Sequence, residues 1–199
     1  MSQIVIAYHS GYGHTARIAE TIAKGARKTG AAVDLVRVDA LDDAAWEKLD
    51  AADAIIFGAP TYMGSASAPF TAFQDLTAQR WMNRTWAGKL AAGFTNSASP
   101  SGDKLNTMFQ LFIFAQQHGM LWQGLNLLNS EQPKGNDFAS KEALNRLGGF
   151  AGLLTQANND APEKTFTPGD LKTAEIFGEQ VATTAEKLAS VSSETVTRS

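Results

Sequence analysis

Ile4-Val5-Ile6-Ala7-Tyr8 runs directly into His9-Ser10-Gly11-Tyr12-Gly13-His14-Thr15, and the reading of this stretch decides the fold. An apolar run of this length reads as a buried strand. The small, hydroxyl-bearing loop behind it opens a helix, because residues 16–29 place Ile18, Ile22 and Ala26 at helical spacing with Ala19 and Ala23 beside them, and Gly30 ends it. The first N–H groups of a helix lack intrahelical partners and sit at the positive end of its dipole. Such a loop therefore suits an oxyanion, with the hydroxyls of Ser10 and Thr15 alongside. It holds neither the lysine of a nucleoside-triphosphate loop nor the three-glycine spacing of a dinucleotide fingerprint, so a terminal monophosphate is its natural guest.

The same alternation continues outward. Residues 33–38 read as a second strand, 44–49 as a helix, 54–58 as a third strand and 69–76 as a helix with Pro69 in its first turn. Residues 90–95 follow as a fourth strand and 104–118 as a long helix. A fifth strand begins at 120–122, breaks over the Gly-, Asn- and Pro-bearing stretch 123–150, and resumes at 150–155 before a last helix over 170–188. Strands and helices in strict turn build a parallel sheet covered on both faces. The expectation is an α/β, flavodoxin-like three-layer sandwich with a five-stranded parallel sheet in the order 2-1-3-4-5 and an interrupted fifth strand. Residues 1–188 form one domain in this reading, and the polar stretch 189–199 is a frayed tail.

Composition narrows the function classes. In 199 residues, 44% hydrophobic and 19% charged content suits one compact domain with a sizeable core. Seventeen basic against twenty acidic residues leave a net charge of −3, too mild for a nucleic acid or a charged membrane surface as partner. The absence of cysteine removes disulfides, thiolate metal sites and a cysteine nucleophile, so redox chemistry would need a bound cofactor. The three histidines lack metal-ligand spacing, and no metal is expected. The chain opens on a strand without an export-signal pattern, which favours the cytoplasm, and no apolar stretch approaches the roughly 20 residues of a membrane span.

Two more loops fall beyond the strand ends, where ligands of open α/β sheets sit. Pro60-Thr61-Tyr62-Met63-Gly64 follows the third strand and offers backbone groups, a hydroxyl and an aromatic face. Such a loop suits a flat ring whose edge needs donors and acceptors. Asn96, Ser97 and Ser99 follow the fourth strand with an amide and hydroxyls. Flavin mononucleotide (FMN), a monophosphate that carries a flat heteroaromatic ring, fits this description.

His9-Ser10-Gly11-Tyr12-Gly13-His14, Gly58-Ala59-Pro60-Thr61-Tyr62-Met63-Gly64 and His118-Gly119-Met120, in this order, resemble the WrbA-like NAD(P)H:quinone oxidoreductases of the flavodoxin superfamily over roughly residues 3–188. The resemblance implies FMN held by Ser10, Tyr12, Gly13, His14 and Thr15, by Pro60, Thr61, Tyr62, Met63 and Gly64, and by Asn96, Ser97 and Ser99. It implies that His118 and Trp81 line the pocket over the flavin, where nicotinamide and quinone alternate. Tyr62 stands where that family usually has arginine. The implied activity is two-electron reduction of a small-molecule quinone by NADH or NADPH in a homo-oligomer, dimer or tetramer. A flavodoxin-type electron carrier and a non-catalytic FMN-binding regulatory module are the rival readings, since fold alone does not prescribe activity.

Overall fold

The alternation resolves into three layers in a computed structural model, which describes residues 1–130 and 140–196. In chain order the elements are β1 (Gln3–Tyr8), α1 (His14–Arg27), β2 (Ala32–Arg37), α2 (Asp43–Ala51), β3 (Ala54–Tyr62), β4 (Ser65–Ala66), α3 (Ala68–Leu76), α4 (Ala78–Met82), β5 (Leu90–Ser97), α5 (Lys104–Gln117), β6 (Leu121–Gln123), β7 (Leu153–Gln156), α6 (Pro162–Thr165) and α7 (Pro168–Val196). The sheet runs β2-β1-β3-β5, and β6 and β7 share the outer edge of β5. β6 pairs with residues 90–92 of β5 and β7 with residues 94–97, all in parallel register, so the two pieces are one interrupted fifth strand. The expected order is therefore present. The interruption includes residues 131–139, which lie outside the described residues.

Strands buried on both faces explain the nearly unbroken apolar runs. Successive side chains point to opposite sides of a strand, so Ile4 and Ile6 of β1 meet Ile18 and Ile22 of α1 and Phe177 and Val181 of α7. Val5 and Ala7 face the other way, into a layer with Phe57, Phe70, Phe73, Trp86 and Phe114. α1 and α7 approach unusually closely. A Cβ on Gly25 would lie 1.8 Å from the Glu175 carbonyl oxygen, and one on Gly178 would lie 2.0 Å from that of Ile22.

Two boundaries differ from expectation in an informative way. β3 continues to Tyr62 instead of ending at Gly58, because its last residues still pair with β5 and then fold back antiparallel onto β4. α7 runs on to Val196, past the point where the sequence alone places a frayed tail. No glycine or proline follows Gly178, so nothing stops the helix once packing has set its course. Among the described residues no helix is long and apolar enough to cross a membrane.

Candidate functional site

The C-terminal ends of β1, β3, β5 and β7 open onto a crevice of about 690 Å³, within the roughly 300–1,000 Å³ usual for small-molecule sites. Ten of the residues singled out in the sequence line it: Ser10, Tyr12, His14, Thr15, Pro60, Thr61, Tyr62, Met63, Asn96 and Ser97.

The first loop presents its backbone to this space. Gly13, in the left-handed region at φ 87°, ends the loop and caps α1 without any side-chain bond. The N–H groups of residues 11–15 donate to nothing among the described residues. The Ser10 hydroxyl oxygen accepts from the Ala16 N–H at 3.1 Å, which leaves its proton for a guest. Thr15 donates to Asn96 Oδ1 at 2.8 Å in a buried bond that ties the first loop to the third. Among the described residues no lysine or arginine lines the crevice. An anion would thus be held by amides, hydroxyls and the start of a helix, which fits a phosphate monoester.

The second loop is a tight hairpin. Met63 at φ 50° and Gly64 at φ 76° are the two central residues of a turn between Tyr62 and Ser65, both with positive φ as type I′ geometry requires. The turn leaves Met63 wholly exposed, while Tyr62, also exposed, sets its ring edge-on to Tyr12, 6.2 Å between centroids. Burial, with Tyr12 adding to it, raises the Tyr62 phenol above its ordinary value. The Thr61 hydroxyl is engaged with Thr95 and Thr107, both at 2.8 Å, and so braces β3 against β5 and α5. Gly64 makes the turn, and its carbonyl accepts from Asn106 at 2.8 Å. Like Gly13 and Ser99, it shapes a loop without lining the crevice.

The third loop is built around a residue that the sequence reading passed over. Lys104, the first residue of α5, is 1% exposed. Its ammonium donates to Ser97 Oγ at 2.8 Å and to the Ser99 carbonyl at 2.6 Å. Burial, reinforced by Arg146 and opposed by Asp170, pulls it down to about 8. Behind it Arg146 grips Asp170 through two bonds of 3.0 Å. The fourth wall, residues 157–162 after β7, was also missed, although its Asn-Asn-Asp-Ala-Pro composition after an apolar run is the same signal the other loops carry. His14 Nε2 donates to the Asp160 carbonyl at 2.8 Å and joins the first loop to this wall.

Within the single chain, His118 and Trp81 are not among the residues that line the crevice. α5 begins beside the crevice, and its 14 residues carry the chain about 21 Å away at ~1.5 Å per residue. His118 therefore caps that helix at the opposite end of the sheet, next to the strand starts. It is 2% exposed, bonded through Nε2 to Thr77 at 2.9 Å, and packed 4.6 Å from Trp86 and 4.9 Å from Phe114 between ring centroids. Burial, then the nearby Arg84 charge, push it down to about 4, so it is a neutral core histidine. Trp81 lies in α4, one turn beyond Thr77, with its side chain at the surface.

Comparison with known proteins adds the following. A family model described as "Flavodoxin domain" matches residues 5–111. Flavodoxin FldP of Pseudomonas aeruginosa is 40% identical over 191 residues, covering 94% of this chain and 99% of its own. An NAD(P)H dehydrogenase (quinone) of Archaeoglobus fulgidus is 32% identical over 210 residues, covering 94% and 100%. Among solved structures, a flavodoxin, WrbA-like protein from Agrobacterium tumefaciens superposes with a TM-score of 0.73 at 39% identity, over 94% of this chain and 99% of that one. Oxidised Flavodoxin 1 of Bacillus cereus, 20% identical over 92% and 98%, shares the fold with a TM-score of 0.61.

Proposed function

The chain belongs to the flavodoxin family, and from that footing we propose that it is an FMN-dependent NAD(P)H:quinone oxidoreductase. The observation that carries the reading is the crevice itself. Unpaired helix-start amides and the Ser10 hydroxyl stand at one end, an aromatic wall of Tyr12 and Tyr62 beside them, and the polar third loop opposite.

When bound, FMN supplies the chemistry, accepting a hydride from reduced nicotinamide and passing two electrons to a quinone. The chain's own residues bind and orient. The amides of residues 11–15 and the Ser10 hydroxyl would hold the phosphate, and Asn96, its Oδ1 fixed by Thr15, would offer its amide N–H groups to the ring. Tyr12 and Tyr62 would border one side of the crevice and leave the rest open for flat substrates that take turns.

The test is direct. Purified protein with FMN, NADH and benzoquinone should oxidise many equivalents of NADH per protein, and Ser10→Glu, which sets a negative charge against the phosphate, should abolish both turnover and the rise in melting temperature on adding FMN. Protein whose melting temperature ignores millimolar FMN would refute the reading and leave the regulatory-module alternative without its ligand as well.

A second reading is favoured by the likeness to a protein named flavodoxin. If the chain is an electron carrier, it binds FMN with the same residues but oxidises no more than about one equivalent of NADH under the same conditions. Its net charge of −3 gives little field for steering onto a protein partner, which is why the enzyme stands first.

A further inference from the structure

We propose that Lys104 is a positioning residue whose buried ammonium sets the third loop's shape and gives that wall of the crevice a positive charge, favouring reduced over oxidised flavin. This rests on the FMN reading of the site.

Lysine is almost never fully buried unless paired. Here no carboxylate lies within ion-pair distance among the described residues: Asp170, whose charge acts on it, gives both of its oxygens to Arg146. Lys104, Arg146 and Asp170 together leave one net positive charge behind the loop. The ammonium is instead enclosed by the loop it organises. Gly102 at φ 53° and Asp103 at φ 54° wind the chain back over it, and a Cβ on Gly102 would strike Ser97 Oγ at 2.3 Å.

Three successive carbonyls of this loop are each held by a donor of the chain. That of Ser97 accepts from the Ala157 N–H at 3.0 Å, that of Ala98 from Gln156 Nε2 at 2.9 Å, and that of Ser99 from Lys104 at 2.6 Å. In a trans peptide the carbonyl and the following N–H point opposite ways. The N–H groups of Ala98 and Ser99 are therefore turned away from the donors that hold the preceding carbonyls, and Ala98 lines the crevice. Residue 100 is proline and has no N–H to misplace. Gln156 shows that a neutral amide suffices to hold one of these carbonyls. A charged group at residue 104 adds something that holding a loop does not require.

That addition is electrostatic. A flavin that takes up two electrons and one proton gains one negative charge, and a fixed, buried cation behind the loop favours the charged form without reorganising. The cation belongs to the protein before any guest arrives.

The experiment measures the two-electron reduction potential of the FMN-loaded protein by spectroelectrochemistry at pH 7, with FMN affinity measured in parallel by fluorescence quenching. Lys104→Met and Lys104→Gln should each lower the potential by about 30 mV or more, a tenfold loss of preference for the reduced form. Lys104→Gln, which keeps a donor for Ser99, should hold oxidised FMN within about threefold of the wild type. In the unaltered protein the slope of potential against pH should double above about pH 8, because reduction then recruits a proton to Lys104 as well. Arg146 and Asp170 are the charged groups that face it. Variants with an unchanged potential, together with a slope that stays constant through pH 8, overturn the proposal and leave Lys104 a structural residue. Unaltered protein that takes up no FMN refutes the site reading itself, and the proposal falls with it.

Discussion

Acid should unfold this protein partly through one histidine. His118 is held near 4 by burial and by the Arg84 charge, against an ordinary value of 6.5. A base whose folded value is depressed binds more protons when unfolded, so stability rises with pH across that window and is lost as pH falls through it. Each pH unit of difference corresponds to about 1.4 kcal/mol, so the excursion from pH 7 down to pH 4 removes about 3 kcal/mol through this residue. The structural cause is plain: protonation would place a charge between Trp86 and Phe114, with Nδ1 already lacking any partner and Nε2 facing only the Thr77 hydroxyl. The control is His118→Gln, which can still bond Thr77 but cannot titrate. Urea unfolding of both proteins at half-unit steps from pH 7.5 to pH 4 gives the difference in stability, in which the other titrating groups largely cancel. That difference should shift by about 3 kcal/mol against the histidine protein as pH falls. A pH-independent difference would mean that His118 is reached by solvent, and the placement of α5's end would be wrong.

Other perturbations read other parts of the molecule. Gly25→Ala sets a methyl against the Glu175 carbonyl oxygen and must separate α1 from α7, so a loss of about 1–3 kcal/mol is expected by urea titration. Gly13→Ala demands a left-handed alanine at the start of α1, costing about 1–2 kcal/mol, and crowds Pro162, 2.8 Å from the new carbon; FMN affinity by fluorescence quenching should fall together with the melting temperature. Asp50→Ala removes the carboxylate that accepts from Arg80 and, at 2.8 Å, from the wholly buried Trp86 ring nitrogen. An unpaired buried donor costs about 1–3 kcal/mol, and a thermal melt should show it without any change in FMN binding.

The fold was legible because its cause is periodic. Apolar runs such as residues 4–8 and 54–58 can only be strands buried on both faces, and the helices between them dictate a parallel sheet. The hairpin at Met63 was not legible. A methionine at positive φ contradicts local preference and is held there by the pairing of Tyr62 with Ser65. The first three crevice walls could be read from small and hydroxyl residues after strands. The fourth could have been read the same way, but it follows a strand whose interruption hid its place in the sheet. Lys104 left no signal at all, since a lysine at a helix start reads as solvated until three dimensions show what encloses it.

His118 and Trp81 show that nearness in sequence order to the crevice-forming strands does not by itself bring a side chain to the crevice of its own chain. Both fall in segments that follow crevice-forming strands, and both are carried to the far end of the sheet by α5 and α3, which must run back antiparallel to the strands to allow the next parallel one. One chain therefore divides its chemistry between two ends. At the strand starts, His118, Trp86 and the aromatic layer around Phe73 and Phe114 bury polar atoms for packing, at the cost of acid sensitivity. At the strand ends, polar atoms are left open on one side and supported on the other: Ser10 by Ala16, Asn96 by Thr15, the third loop by Lys104. Rigid support behind an open donor is what a site needs when its guest carries the reactivity and the protein supplies only place and field.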